Sequence, residues 1–285
     1  MSQINSKNNI FKKFKELIKR FTWFDYLVFS LTILLLFGSF LFFFRKRELI
    51  DIKVKVTDKE VLYSWSYPQN WYADAFKIGD EERDTLGRKS VVIKDVETFN
   101  INEQMKAVYL DLSVEAVYDS RAKRYVFQGR PLSVGTTIPF SLSDVTFDGL
   151  VIGVLNTGLD NNSTTEYKTV KAIIRGVDED AVNYEPKVLE SLSVGDKVTS
   201  SKGITLVELI GLKLEPAERS VRTDSGNLVL RRDPFYKDAT LTLKVLTKTI
   251  GDDLFVLNDM PLRIGQQLPL AFSNKFVRAT VVGIN

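Results

Sequence analysis

Hydrophobic residues follow two contrasting patterns along the chain. Near the N-terminus, Tyr26–Phe44 is an uncharged run, YLVFSLTILLLFGSFLFFF. As a helix this run would span about 28 Å, close to the roughly 30 Å of bilayer hydrocarbon. A buried core helix would show a polar face, and a cleaved signal peptide would end at small residues, whereas this run ends at Arg45-Lys46-Arg47. The pattern predicts a transmembrane anchor over residues 23–47.

Residues 1–22 show helical periodicity with a basic face. Apolar side chains recur at helical spacing from Ile10 to Phe21, and Lys and Arg residues lie between them. This predicts a basic amphipathic helix lying on an anionic leaflet, with a frayed basic tail as the alternative. The numbers of Lys and Arg on the two sides of the anchor are almost equal, so charge alone does not decide its orientation. Two other features favour a cytoplasmic N-terminus: this basic helix, and the ability of long C-terminal domains to translocate regardless of charge. We expect a cytoplasmic N-terminus and extracytoplasmic C-terminal domains at the cell membrane.

After the anchor, apolar and polar residues alternate with period two, which is typical of half-buried strands. Val108–Val117 and Ala239–Thr249 are the clearest examples. Blocks of sequence also recur in the same order. Ile78-Gly79-Asp80 has a counterpart 116 residues later, Val194-Gly195-Asp196, and Pro131-Leu132-Ser133-Val134-Gly135 has one 130 residues later. The pattern predicts a mainly β fold with two related small β-barrel or β-sandwich domains after the transmembrane helix.

The repeat sets the predicted boundaries: a first β-domain over 48–155, a polar linker over 156–165 and a second β-domain over 166–285. A short helix is predicted in each copy, near 70–76 and 186–192. The longer offset implies an extra segment in the second copy. Within it, Asp224-Ser225-Gly226-Asn227 separates two apolar stretches, which predicts an inserted β-hairpin over 216–237.

Composition narrows the available chemistry. The chain has no cysteine and no histidine, so thiol nucleophiles, Cys/His zinc sites and Ser-His-Asp triads are excluded. Nine of the 39 basic and two of the 36 acidic residues lie in 1–47, which leaves 30 basic and 34 acidic residues and a net charge of −4 beyond it. We therefore expect no nucleic-acid partner, since phosphate affinity requires clustered Lys and Arg. No catalytic activity, cofactor or metal is predicted.

The candidate site residues lie on the predicted hairpin. Basic residues interleaved with an aromatic side chain suit an anionic ligand such as a phosphate or an acidic sugar. The residues are Arg219, Arg222, Arg231, Arg232 and Tyr236. Alternatively, these side chains only decorate a solvent-facing surface.

Two other clusters have simpler interpretations. Asp80, Glu82 and Asp84 have the alternating spacing of a calcium loop but lack its glycine and its terminal glutamate, which favours a solvated turn. The aromatic group at Trp65, Tyr67, Trp71 and Tyr72 favours a lid packed on the first domain over a sugar-stacking surface.

Trp23-Phe24-Asp25 at the start of the apolar helix and the repeated Val/Ile-Gly-Asp…Gly blocks give the chain a family resemblance. It resembles an uncharacterised family of bacterial single-pass membrane proteins, a domain of unknown function. The resemblance implies a bacterial envelope setting and no established activity, and it carries over no site residues.

We therefore expect a membrane-anchored interaction or scaffold module of the cell envelope, in contact with the lipid bilayer and with another envelope protein or a second copy. The alternative is a ligand-binding module for an anionic envelope polymer or a metal ion. A concave pocket with converging polar groups would favour the second class. The expected place for such a cleft is the domain junction, near residues 150–170.

Overall fold

The computed structural model describes residues 22–43, 47–57, 67–154, 164–176, 184 and 186–285, with the backbone alone for 39–43. The chain divides into two compact units, Met1–Arg47 and Glu48–Asn285. The predicted amphipathic helix and nearly all of the predicted linker lie outside the described residues.

The N-terminal unit contains helix α1 (Trp23–Phe43). Thr22 precedes its first turn and donates to Asp25 Oδ2 from both its backbone amide, at 2.8 Å, and its hydroxyl, at 2.7 Å. This arrangement satisfies polar groups that a helix start leaves without partners. Consecutive apolar side chains along α1 are exposed, among them Ile33, Leu34 and Leu35. Among the described residues, no helix has the length and apolar character needed to cross a membrane.

The C-terminal unit contains two β-sheets of eight strands each in its described residues. We call residues 48–154 the first half and residues 164–285 the second half. The elements of the first half are β1 (Arg47–Thr57), α2 (Asn70–Ala73), β2 (Glu81–Arg83), β3 (Lys89–Asn100), β4 (Lys106–Asp119), β5 (Arg124–Phe127), β6 (Arg130–Pro131), β7 (Thr137–Ser141) and β8 (Thr146–Val154).

The second half follows the same plan. Its elements are β9 (Thr164–Ile174), α3 (Pro186–Glu190), β10 (Lys197–Thr199), β11 (Thr205–Arg222), β12 (Leu228–Ile250), β13 (Asp253–Val256), β14 (Met260–Pro261), β15 (Gln267–Phe272) and β16 (Lys275–Ile284). The prediction of a mainly β chain with an N-terminal helix is confirmed.

Strand order is identical in the two halves. The first sheet runs β2-β3-β4-β1-β8-β7 and the second runs β10-β11-β12-β9-β16-β15. A small extension follows the third strand of each order, through β5 and β6 or through β13 and β14. The two sheets form a half-barrel and a near-barrel. Two similar β halves are consistent with the predicted repeat.

One type of turn occurs twice in each half, at Lys77–Asp80, Ser133–Thr136, Ser193–Asp196 and Arg263–Gln266. In each turn the fourth amide donates to the first carbonyl at 3.0–3.2 Å. The third residue is a glycine with φ between 86° and 98°, the pattern of a type II turn. The glycine amide donates to a strand carbonyl at 2.7–2.9 Å. The Gly-Asp and Pro-Leu-x-Val/Ile-Gly blocks of the sequence are therefore two uses of one turn.

Each half has a hydrophobic core, and the second core extends into the first half. Phe99, Ile101, Ala107 and Tyr109 belong to β3, β4 and the loop between them, yet they pack in one cluster with the buried residues of the second half. The first core draws on β1, β3, β4, β7 and β8. Because burial of apolar surface is the main stabilising term in folding, this shared packing joins the halves into one body.

Candidate functional site

A cleft of about 520 Å³ opens where the two halves meet. We call it the junction cleft. Its polar lining residues are Lys55, Tyr67, Asn102, Asp259, Gln266, Gln267 and Arg278. Its apolar lining residues are Ile101, Met105, Met260, Pro261 and Pro269. This volume lies within the range of small-molecule sites, about 300–1,000 Å³, and the mixture of lining groups is also typical of them.

An ion pair at the junction cleft connects the two halves. Lys55 on β1 donates to Asp259 Oδ2 at 2.7 Å, across the junction. The Tyr109 hydroxyl donates to the other carboxylate oxygen at 2.5 Å. The Lys55 side chain is 8% exposed and that of Asp259 is 23% exposed. We call Lys55, Tyr109 and Asp259 the junction clamp.

Two tyrosines beside this carboxylate remain protonated. Burial, and then the charge of Asp259, raise the pKa of Tyr67 to about 12. Burial also raises the pKa of Tyr109 well above its usual value, with further contributions from the Asp259 charge and hydrogen bond. The Lys55 ammonium lies 4.9 Å from the centre of the Tyr67 ring, a cation–π contact. Both phenols are therefore hydrogen-bond donors at neutral pH and not bases.

The other polar residues that line the junction cleft offer groups for contact with a ligand. The backbone amide of Arg278 donates to the Tyr184 hydroxyl at 2.8 Å. Within the described part of the chain, no carboxylate forms an ion pair with the Arg278 guanidinium. Asn102, Gln266 and Gln267 supply amide donors and acceptors. The wall therefore suits a ligand with hydrogen-bonding groups and an apolar part.

A second set of charges lies along the same junction. Asp95 and Asp111 face each other across β3 and β4, an arrangement of like charges that destabilises a sheet. Lys202 of the second half forms an ion pair with Asp95, and Lys53 pairs with Glu97 at 3.4 Å. Burial nevertheless raises the pKa of Asp111, against the opposing charges of both lysines.

Backbone hydrogen bonds accompany these charges. The Thr98 amide donates to Ser201 Oγ at 2.9 Å, and the Ser201 amide donates to the Thr98 carbonyl at 2.7 Å. The junction is therefore fixed at two separate places, at the junction clamp and beside β3.

The structure divides the predicted arginine site between two faces of a hairpin. β11 and β12 pair from Glu218↔Arg232 to Arg222↔Leu228. Arg219 lies opposite Arg231 on one face, and alternation places Arg222 and Arg232 on the other. Tyr236 lies at the base of the hairpin, where its amide donates to Asp233 at 3.0 Å. The five predicted residues therefore do not form one pocket.

The predicted acidic cluster is engaged by its own neighbours. Glu82 accepts the Ser141 amide at 3.0 Å, and Glu81 beside it pairs with Arg83 at 2.5 Å and with Lys89 at 2.6 Å. Hydrogen bonds from the Arg88 and Leu86 amides and the Arg88 side chain lower the pKa of Asp84 to about 2. Among the described residues, no group of three or more carboxylates is placed to hold a metal ion.

The aromatic cluster is also divided. Tyr72 packs against the first core, with its ring 5.4 Å from that of Phe76. Tyr67 instead packs against the second core, and Trp71 is 73% exposed. Trp65 lies outside the described residues. The lid expected over the first domain is therefore provided by Tyr72 but not by Tyr67 or Trp71.

Sequence reasoning missed the junction clamp, although differences between the repeats indicate it. Lys55 pairs with Leu150, and Ile173 occupies the corresponding position opposite Thr280. In the first half the turn before β6 has positive φ at Gln128 and Gly129, and in the second half Leu257 and Asn258 have it. The turn before β14 therefore contains one more residue than the turn before β6, and that residue is Asp259. The signal was a lysine and an inserted aspartate, each present in one copy.

The cleft was predicted at the domain junction, near residues 150–170. The lining of the junction cleft comes from β1, Tyr67, the loop at 101–105, Asp259 with β14, and β15 and β16 with the turn before β15. None of the described residues in that region, 150–154 and 164–170, belongs to it. The lengths of β8 and β9 explain the difference, because both run through parts of that region as ordinary paired strands.

The comparison with protein families reaches the second half only. Residues 156–285 match a domain of unknown function, DUF4330. The expectation of such a domain is thereby confirmed for this part of the chain, without information on membrane attachment. The DUF4330 match leaves out the first half, although both halves have the same strand order. No curated protein and no solved structure matches the chain.

Proposed function

We propose that the chain is a membrane-anchored, non-catalytic binding module of the cell envelope, with the junction cleft as its binding site. The observation that carries this proposal is the cleft itself, whose wall is built from both halves and holds converging polar groups over an apolar surface. The shared core and the junction clamp keep that wall in a fixed shape. A preformed site of this kind avoids the entropic cost of ordering on binding.

The chemistry around the cleft supports binding without catalysis. A general base needs a free, suitably poised group within reach of its substrate. Both Asp259 oxygens are engaged, by Lys55 and by Tyr109, and the neighbouring tyrosines are protonated. Histidine and cysteine are absent from the chain. The ligand is therefore held and not transformed.

We infer the anchor from the apolar run Tyr26–Phe44, whose side chains the structure describes as far as Phe37. A water-soluble protein would cover a helix whose apolar side chains are exposed along successive positions, and a bilayer provides that cover. The basic N-terminal segment favours a cytoplasmic N-terminus. This topology places two barrel-like β domains outside the cytoplasm, where another envelope protein or a second copy could reach the cleft.

Site-specific photo-crosslinking in intact cells tests the binding site. A photoreactive amino acid is placed in the full chain at Gln267, which lines the cleft. A matched variant carries it at Thr137, the repeat-equivalent position at the start of β7. The proposal predicts a discrete adduct from Gln267 that Thr137 does not give. Identical adducts from both positions, or none from Gln267, would contradict it.

A further inference from the structure

The second half carries a projection that the first half lacks. β11 and β12 continue beyond Ala217 as a two-stranded ribbon that ends at the turn Thr223–Asn227. We call residues 218–236 the arginine hairpin. Neighbouring strands stop short of it, since β10 pairs only with Thr205–Glu208 and β9 only with Ala239–Thr249. Among the described strands, none covers either edge of the arginine hairpin.

The ribbon displays large apolar side chains at its end. Leu228 is 72% exposed and Leu230 is 71% exposed, on the face that also carries Arg222 and Arg232. Phe235, at the base, is 76% exposed. Leu228 and Leu230 share this face with two arginines, in a segment with no core to cover. Exposure of these large apolar side chains to water is unfavourable, because apolar surface is stabilised by removal from water.

The base of the ribbon is braced by a buried carboxylate. Asp233 is 5% exposed and accepts the amides of Phe235 and Tyr236 at 2.9 and 3.0 Å. It also pairs with Arg219 at 3.4 Å. These contacts lower the pKa of Asp233, chiefly through the two amide hydrogen bonds. The bend that turns Phe235 outward is therefore fixed, and Arg219 is committed to the fold.

Three arginines remain available to an external anion. Within the described part of the chain, Arg222, Arg231 and Arg232 form no ion pair with a carboxylate, although Arg232 lies opposite Glu218. They contrast with the net negative charge of residues 48–285. With four arginines against Glu218, Asp224 and Asp233, the arginine hairpin has a net charge of +1. A projecting ribbon of positive charge is complementary to a negatively charged surface.

We propose that the arginine hairpin docks on an anionic lipid surface. Leu228, Leu230 and Phe235 would enter the headgroup boundary while the arginines bind lipid phosphates, as amphipathic side chains do at interfaces. A soluble polyanion would engage the arginines but would leave the leucines in water. A stable protein interface requires about 1,000 Å² or more, whereas a short ribbon needs no matching shape to enter a bilayer surface.

The test uses the full chain reconstituted in vesicles. Because the chain has no cysteine, Leu228→Cys can be labelled uniquely with an environment-sensitive dye. Vesicles contain phosphatidylcholine alone or with phosphatidylglycerol, and flotation establishes separately that the chain is in the vesicle. We expect a blue-shifted emission, quenched by spin-labelled lipids, only with phosphatidylglycerol. Ser120→Cys, in the β4–β5 turn of the first half, is the control and should not shift.

Arginine variants establish the cause. Each Arg→Gln change at Arg222 or Arg232, the two arginines on the face of Leu228 and Leu230, should lower the docked-to-undocked ratio about five-fold, since one basic residue near an anionic surface contributes about 1 kcal/mol. Lys213→Gln, a change of an exposed cation on the same strand nearer the sheet, should leave the signal unchanged. The proposal is overturned if the dye emission is the same with and without phosphatidylglycerol in vesicles that flotation shows to carry the chain. It is also overturned if soluble polyphosphate shifts the emission while vesicles do not.

Discussion

Lys55 and Asp259 are separated by most of the chain, yet their ion pair joins its two β halves at 2.7 Å. Removal of one partner from a buried pair leaves an uncompensated charge. Because Asp259 keeps some exposure, we expect Asp259→Ala to lower the free energy of unfolding by about 2–4 kcal/mol. Lys55→Met combined with Asp259→Ala should cost less than the sum of the single changes. Denaturant titration measures all three.

The control for this prediction is an exposed pair of similar length. Lys94 and Asp51 lie 2.6 Å apart, and the Lys94 side chain is 51% exposed. Because water screens such pairs, Asp51→Asn should change stability by about 1 kcal/mol or less. Equal losses at Asp259 and Asp51 would show that the junction clamp does not stabilise the fold.

Asp111 should make stability depend on pH in an unusual direction. Burial raises the pKa of Asp111 in the folded chain, so the folded state binds a proton more readily than the unfolded state. Above that pKa the ionised Asp111 carboxylate lowers the free energy of unfolding, and this loss disappears as pH falls through the pKa. Asp111→Asn should raise Tm at pH 7, and the gain should shrink toward pH 4.

Asp119 provides the opposite case. Amide hydrogen bonds from Ala122 and Arg121 lower the pKa of Asp119. Asp119→Asn should therefore lower Tm at pH 7, and the loss should shrink as pH falls toward the folded pKa. For Asp111→Asn, an equal rise in Tm at pH 7 and at pH 4 would show that packing and not charge causes the gain.

At the level of elements, the repeated type II turns fix where strands begin. Gly135 and Gly265 occupy equivalent turns with φ of 88° and 86°. Left-handed backbone costs other residues about 1–2 kcal/mol, so Gly135→Ala and Gly265→Ala should each lose about that amount in denaturant unfolding. Gly283 has no positive φ, and an added Cβ would lie 3.8 Å from its nearest neighbour. Gly283→Ala should be close to neutral, and a loss as large as at Gly135 would contradict this account.

Local pattern predicted the elements well because their causes are local. Alternation along Val108–Val117 and Ala239–Thr249 lies within β4 and β12, and the Asp-Ser-Gly-Asn turn closes the inserted hairpin as expected. The arginine site stays a prediction, although the structure does not bring its arginines to one face. Cross-strand register puts Arg219 and Arg222 on opposite faces, and register depends on pairing that composition does not reveal. The junction clamp depends on a contact between distant segments, which no local pattern encodes.

At the level of the whole molecule, the second core contains residues of the first half, so we expect the halves to unfold together. Phe99 is 3% exposed and lies in that core. Phe99→Ala should cost about 3–5 kcal/mol. The three tryptophans all precede residue 72, so their fluorescence does not report on the second half, whereas circular dichroism reports on both. Coincident transitions by the two probes are expected, and a separate second-half transition would show independent domains.

The central claim is that an extracytoplasmic junction cleft is occupied in the cell. Membrane-impermeant maleimide labelling tests it directly, because the chain has no cysteine and each variant introduces one. Thr137→Cys should label in intact cells, which places the β unit outside. Gln267→Cys should label fully in the purified chain but be protected in cells. Equal labelling of both variants in cells would contradict occupancy of the cleft, and labelling of Thr137→Cys only after lysis would contradict the topology.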